Sequence, residues 1–374
     1  MKKNIFNNLY NEIIVFFLVS SITLTLIVWI LQAVNFLDII SDDGHSIATY
    51  FLYSSLNFPK IFNKLLLLSY FLSIFYILSL YEDKNQLIIY WINGVGKTKF
   101  LNKIISFSIL FLILSFLLSY FITPFTQNKA RSYIRTSNLD FFPSLIKPKK
   151  FIDTVENLTI FLEQKNENKI QKILLKDDSE SGSAKIILAN SGQIVNNPEN
   201  KYLTLKDGLI INFSDRKNST TFNFEETNFN LNKYKTKTTT TPKIQEIKSQ
   251  TIFTCLNLLR SNYAVSKKID NLRCDKTIFK NLIQEAYKRL YLPLYIPLLS
   301  IIASFIILKS NNDINYKSFK IKIFLLGIFL IVLSQISVNT VAISFSFGIA
   351  TILLPIILIL GGYLLFKNKA KISS

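Results

Sequence analysis

The sequence predicts an α-helical membrane bundle of six transmembrane helices, three before and three after an inserted antiparallel β domain. Three observations predict it. Five long stretches contain no Asp, Glu, Lys or Arg. Outside the central segment, nearly all Lys and Arg fall on one side of the spans those stretches define. Between the third and fourth spans the pattern changes to short apolar-polar alternation broken by turn clusters.

The charge-free stretches are 13–37, 65–81, 104–128, 290–308 and 323–366. Four have single-span length, because a hydrocarbon core of ~30 Å takes roughly 17–25 helical residues. The fifth is about twice as long and reads as two spans joined by a tight turn between Ser337 and Ser344. The first run is too long for the apolar core of a signal peptide and lacks a small-residue cleavage site, so the sequence predicts a retained first span. A mean hydropathy of +0.31 fits apolar spans diluted by a polar domain.

Orientation follows from the flanking cations. An N-terminus inside places Lys2 and Lys3 in the cytoplasm, with Lys84, Lys97, Lys99 and Lys103, then Lys309, Lys317, Lys320 and Lys322, then Lys367, Lys369 and Lys371. The outer loop 38–59 has no Lys or Arg. The exceptions are Lys60 and Lys64, at the outer mouth of the second span. This is the positive-inside pattern, with both termini cytoplasmic. The chain as a whole carries 43 Lys+Arg against 24 Asp+Glu. The cations left over lie in the central segment, outside the cell interior, where an anionic lipid or glycolipid is a better partner than nucleic acid.

The expected divisions are 1–128 (three spans, with a cytoplasmic loop at about 82–100), 129–289 (β-rich, with flanking helices) and 290–374 (three spans). Residues 129–157 lead away from the membrane through Pro143 and Pro148. Strands are expected at 158–164, 170–176, 184–191, 202–213 and 219–231, as a meander, sandwich or roll. The Thr- and Lys-rich stretch 233–243 reads as an edge or linker, and helices follow at 251–260 and 276–290. Cys255 and Cys274 lie in this segment. An oxidising compartment permits a disulfide between them; the alternative is two small apolar residues near the membrane.

Catalytic motifs are weak. Gly94-Val95-Gly96-Lys97-Thr98 imitates the end of a phosphate-binding loop, but the glycine required five residues before the Gly-Lys pair is Trp91, and no strand precedes it. The loop is better read as a short helix along the inner membrane face, either docking a cytoplasmic partner or anchoring a turn through Tyr90 and Trp91. The single histidine, His45, stands beside Asp42 and Asp43, too few groups for a metal site. No Ser/His/Asp or Cys/His set can be assembled, and the spans hold no carboxylates for a proton relay. A chain without its own bond-making chemistry is expected.

Polar residues at the outer boundary remain. Gln32 and Asn35 end the first span. Lys60 and Lys64 lie one helical turn apart at the mouth of the second, Arg131 and Arg135 likewise beyond the third, and Lys288 and Arg289 precede the fourth. Such a rim could grip phosphate or carboxylate groups; the alternative is snorkelling to headgroups.

Several patterns resemble the LptF/LptG permease family, the membrane subunits of the lipopolysaccharide exporter. Tyr81-Glu82-Asp83-Lys84-Asn85-Gln86-Leu87-Ile88-Ile89-Tyr90-Trp91-Ile92-Asn93-Gly94-Val95 is similar to the family's cytoplasmic coupling segment. Glu285-Ala286-Tyr287-Lys288-Arg289-Leu290-Tyr291-Leu292-Pro293-Leu294 is similar to its basic entry into span four, and Pro59 opens span two. The layout of three spans, β domain and three spans is more specific than any of these. The first hundred residues resemble the LptF type more than the LptG type.

The resemblance implies a non-catalytic subunit in the inner membrane of a Gram-negative bacterium, with a periplasmic β-jellyroll-like domain. It implies pairing with a second six-span permease, LptG-like in that case, and docking of a cytoplasmic LptB-like ATPase dimer that holds ATP and Mg, with no cofactor in this chain. Lipopolysaccharide would enter between spans one and five of opposite subunits and leave through the β domains to LptC/LptA-like periplasmic bridge proteins. The coupling candidates are Glu82, Asp83, Gln86, Trp91 and Gly94. One departure stands out: Gln86 occupies the place of the family's glutamate, for which Glu82 and Asp83 could substitute. Other ABC permeases, for lipids or lipoproteins, are the alternative; those usually insert the large domain after span one.

Overall fold

The computed structural model describes residues 2–37, 47–136, 148–155, 157–166, 169–178, 183–196, 201–214, 218–230, 243–261, 267–269, 272–343 and 345–372. His45 with Asp42 and Asp43, Pro143, Ser344, all of the 233–243 stretch except Lys243, and the side chain of Arg135 lie outside the described residues. Contacts divide the chain into two units, residues 1–31, 56–128 and 243–374 in one, 32–55 and 129–242 in the other.

The helices in chain order are α1 (Lys2–Asn35), α2 (Ile47–Leu56), α3 (Phe58–Asp83), α4 (Ile88–Ile92), α5 (Lys97–Leu117) and α6 (Thr123–Thr136), then α7 (Ser249–Ser261), α8 (Lys276–Leu290), α9 (Tyr295–Ser304), α10 (Tyr316–Thr340) and α11 (Phe345–Ile372). Among the described residues, six helical stretches are long and apolar enough to cross a membrane: Ile5–Asn35, Ile47–Asp83, Lys97–Ile134, Lys276–Leu308, Tyr316–Thr340 and Phe347–Lys371. The long fifth run does divide in two, α10 ending at Thr340 and α11 beginning at Phe345. With six spans, both termini lie at one end of the bundle, the terminal end; the other is the insertion end.

Local signals set the boundaries. Pro59 stands in the first turn of α3, where its missing N–H costs nothing. Asp275 caps α8, its carboxylate accepting from the N–H groups of Thr277 (3.1 Å) and Ile278 (3.3 Å). Span four is the hub: every residue of α9 is buried, and it packs against α3, α5, α10 and α11. Serines let it do so without orphaned hydroxyls, as Ser300 and Ser304 donate to the carbonyls of Ile296 and Ser300. Ser300 also shares a hydrogen bond with Tyr70 of α3, and Tyr295 with Ser337 of α10 (3.3 Å). Gly327 of α10 marks a close approach to α3. A Cβ there would strike the ring of Phe71, so even alanine forces a fully buried side chain to move. Spans five and six are only 28% and 17% buried over their most apolar windows, against 72% for span four, which leaves their apolar faces to lipid or a protein partner.

The other unit holds a six-stranded antiparallel sheet paired in chain order, β1 (Ile152–Val155), β2 (Leu158–Asn166), β3 (Lys169–Asp177), β4 (Ser183–Asn196), β5 (Lys201–Ser214) and β6 (Asn218–Asn230). This is the meander among the arrangements the strand pattern allowed. β1 is additional to the five expected strands. One face buries Leu158, Ile160, Leu162, Ile173, Leu175 and Ile187. Further along the strands the buried phase shifts by one residue, to Ile170, Ile194, Leu203 and Leu205. The shift runs through Lys172 (φ 49°) and Asp207 (φ 51°), whose left-handed backbones invert the alternation and bend the sheet. Gly208 follows because a Cβ there would meet the Leu188 carbonyl and the Phe224 ring. The crease holds an open groove of about 620 Å³, and across it Lys172 pairs with Glu163 at 2.7 Å, holding that exposed carboxyl below the usual carboxylate range.

After the sheet, α7 is followed by a small hairpin of β7 (Lys267–Ile269) and β8 (Leu272–Cys274) that was not foreseen. Cys255 of α7 and Cys274 of β8 form a disulfide, their Cα atoms 5.8 Å apart, within a satellite core of Ile252, Leu259, Leu272 and Leu282. Closing a loop of this size contributes ~3 kcal/mol by chain entropy.

Candidate functional site

At the insertion end the expected cationic rim divides. Lys60, half-buried at the start of α3, feels the charges of Lys288 and Lys243 and, against them, Glu246 and Glu285. Lys64 is exposed one turn along. Lys288 stands 3.8 Å from Glu285. These residues form a partly compensated basic cluster within the bundle unit. Gln32, Asn35 and Arg131 belong to the unit that holds the sheet. There the end of α1 is tied to α2 by Tyr50, which donates to the Ala33 carbonyl (2.9 Å); Gln32 is half-buried, Asn35 exposed and Arg131 half-buried.

Arg289 is not at the rim surface. Its side chain is 2% exposed. Nη1 donates to the Ile247 carbonyl and Ser249 Oγ, both at 2.9 Å, Nη2 to the Gln245 carbonyl (3.1 Å), and Nε to Glu285 Oε1 (3.0 Å). The guanidinium fork thus ties α8 to the segment 245–249, which returns from the inserted domain. Ser249 passes the tie on, donating to the Tyr120 carbonyl at 2.6 Å. That carbonyl needs a donor because Pro124, four residues later, has no N–H to give it, and the helix widens locally into a π turn over Leu118–Ile122. Asn63 of α3 joins at the same turn, donating to Ser119 Oγ at 3.0 Å. Sequence reasoning missed Asn63, Ser119 and Ser249; Pro124 in an otherwise helical run was the available signal.

At the terminal end, α4 is the short helix read in the coupling loop. Two left-handed residues frame it, Asn85 (φ 55°) before and Gly94 (φ 70°) after. Gly94 N–H donates to the Trp91 carbonyl and Val95 N–H to that of Tyr90, both at 3.0 Å, closing the C-terminus as a glycine cap does. Leu87, Tyr90 and Val95 are buried. Tyr90 OH donates to the Ile5 carbonyl of α1 (3.0 Å), and its ring meets Phe6 and Phe100 edge-on. Trp91 is half-buried against Phe100. With that side anchored, Ile88, Ile89 and Ile92 face outward, Ile92 at 80% exposure. Gln86 is half-buried, its N–H donating to the Tyr81 carbonyl at 2.7 Å.

The two carboxylates beside α4 have partners within the chain. Glu82 is buried, and its Oε1 accepts from the Asn311 N–H (3.1 Å). Asp83 Oδ2 pairs with Lys320 Nζ at 2.7 Å. A cavity of about 720 Å³ opens here, lined by Glu82, Trp91, Gly94, Lys97, Ser310 and Lys371. Lys97 and Thr98, the pair that imitated a phosphate-binding loop, begin α5 directly after α4, with no strand before them.

Comparison with known proteins agrees with this layout. An uncharacterized protein of Rickettsia prowazekii (strain Madrid E) is 23% identical over 295 residues, 78% of each chain. The family described as lipopolysaccharide export system permease LptF/LptG matches residues 8–368, all six spans and the inserted domain together. The chain is a multi-pass membrane protein that belongs to the LptF/LptG family of permeases.

Proposed function

We propose that this chain is a non-catalytic permease subunit of an ATP-driven exporter that lifts lipopolysaccharide out of the inner membrane and passes it to a periplasmic bridge protein. The termini and α4 face the cytoplasm, and the sheet domain is periplasmic. A second six-span permease covers the apolar faces of the outward spans, and a separate cytoplasmic ATPase dimer binds ATP and Mg and docks on α4. The observation that carries the reading is α4 itself: a short helix seated firmly by Tyr90 and Leu87 yet presenting three isoleucines outward. Apolar knobs on a fixed mount at the membrane face suit a protein cover. Copurification tests it: the tagged chain brings down a small ATPase and a second permease of similar size, and recovery of neither overturns the reading.

The half-buried Lys60, with Lys64 and Lys288, serves in this reading as the anion-gripping part of the rim. Lys60→Glu with Lys64→Glu lowers crosslinking of the lipopolysaccharide phosphates several-fold while leaving the folded yield unchanged. Unchanged crosslinking would mean that these lysines only snorkel.

A further inference from the structure

The carboxylates Glu82 and Asp83 end α3 immediately before the turn into α4, and the chain returns to them from a distant segment. Asn311, in the loop between spans four and five, donates its backbone N–H to Glu82 Oε1 (3.1 Å) and its side-chain amide to the Asp83 carbonyl (3.4 Å). Lys320, in the second turn of α10, reaches Asp83 Oδ2 at 2.7 Å. Tyr316, buried at the start of α10, adjoins both carboxylates. Span five is thereby held to the root of α4 at two points of different character. Glu82 is buried and its bond to an amide is charge-assisted, the stronger contact. The Asp83–Lys320 pair is partly exposed, with side chains 40% and 29% accessible, so it opens at small cost.

We infer that Glu82, Asp83, Asn311 and Lys320 form a clasp that transmits displacement of α4 to span five, with Glu82–Asn311 as the pivot and Asp83–Lys320 as the releasable latch. Glu82 is turned into the chain, and Asp83, though partly exposed, is held by Lys320 rather than standing free beside the isoleucines of α4. Span five is a fitting recipient, because only 28% of its most apolar window is buried and the rest of that surface faces away from the bundle. The clasp rests on the proposed docking of an ATPase at α4, and it accounts for the uncharged Gln86: the charged contacts near α4 serve transmission within the chain.

Charge exchange tests it in the full chain. Asp83→Lys and Lys320→Asp are each expected to leave ATPase copurification and basal ATP hydrolysis of the assembled complex within twofold, while lipopolysaccharide released per ATP falls at least fivefold. The double variant restores at least half of that release. Loss of ATPase copurification in Asp83→Lys alone, without recovery in the double variant, would make Asp83 a docking contact and overturn the clasp, as would wild-type release per ATP in both single variants. A second readout needs no partner. Amide exchange at residues 309–315 of the chain in detergent rises at least fivefold in each single variant and returns in the double. If wild-type chain captures no ATPase, the proposed function fails; unchanged exchange in the single variants defeats the clasp itself.

Discussion

Arg289→Ala is expected to destabilise the bundle by about 3–5 kcal/mol, the cost of breaking a buried ion pair from one side. The guanidinium fills four hydrogen bonds at once. Its removal leaves Glu285 without its closest cation and the carbonyls of Gln245 and Ile247 without this donor, that of Ile247 in a buried position. Thermal unfolding in detergent reads the loss as a fall of roughly 6–10 °C. Arg289→Lys recovers little, because an ammonium cannot span the fork between Glu285 on one side and two carbonyls on the other. Arg289→Met combined with Glu285→Gln costs less than Arg289→Ala alone, since no charge is then stranded. A fall of under 2 °C for Arg289→Ala would return this residue to the lipid-facing rim.

Ile88→Asp with Ile92→Asp gives the largest functional effect. Both side chains are outside the packed core, so the fold loses little, about 0.5 kcal/mol or less per site. In a docked complex each isoleucine buries apolar surface worth about 1.5–3 kcal/mol. Losing two, and placing carboxylates in their stead, weakens ATPase association by roughly 100-fold or more, at about 1.4 kcal/mol per factor of ten. Capture of the second permease proposed above is expected to be unchanged, because that reading puts its contacts on the spans. Titration of ATPase capture against detergent-solubilised complex measures this directly, and undiminished capture would remove α4 from the docking surface.

The spans were legible because hydrocarbon thickness imposes a length on charge-free runs, which a local reading can count. The long strands were legible through alternation and turn clusters. What escaped depended on partners far along the chain. Arg289 follows Lys288 at a membrane boundary and reads as another surface cation; its burial is decided by carbonyls of Gln245 and Ile247 some forty residues earlier. Glu82 and Asp83 read as free charges in a cytoplasmic loop until Asn311 and Lys320 are brought to them. β1 is only four residues long, and β7 and β8 three each, below the length at which alternation carries a signal. The phase shift in the sheet was hidden for a related reason: left-handed backbone at Lys172 is unusual for a lysine, and Asp207, a residue type that enters this region more readily, lies inside an otherwise strand-like run.

The most direct test of the account is release of lipopolysaccharide from vesicles. The complex copurified with this chain is reconstituted with lipopolysaccharide and phospholipid, and transfer of each to a soluble acceptor is followed with and without ATP. The expected result is ATP-dependent transfer of lipopolysaccharide that is lost when Ile88 and Ile92 are replaced by aspartate. Transfer that ignores ATP, or that moves phospholipid as readily as lipopolysaccharide, would contradict it.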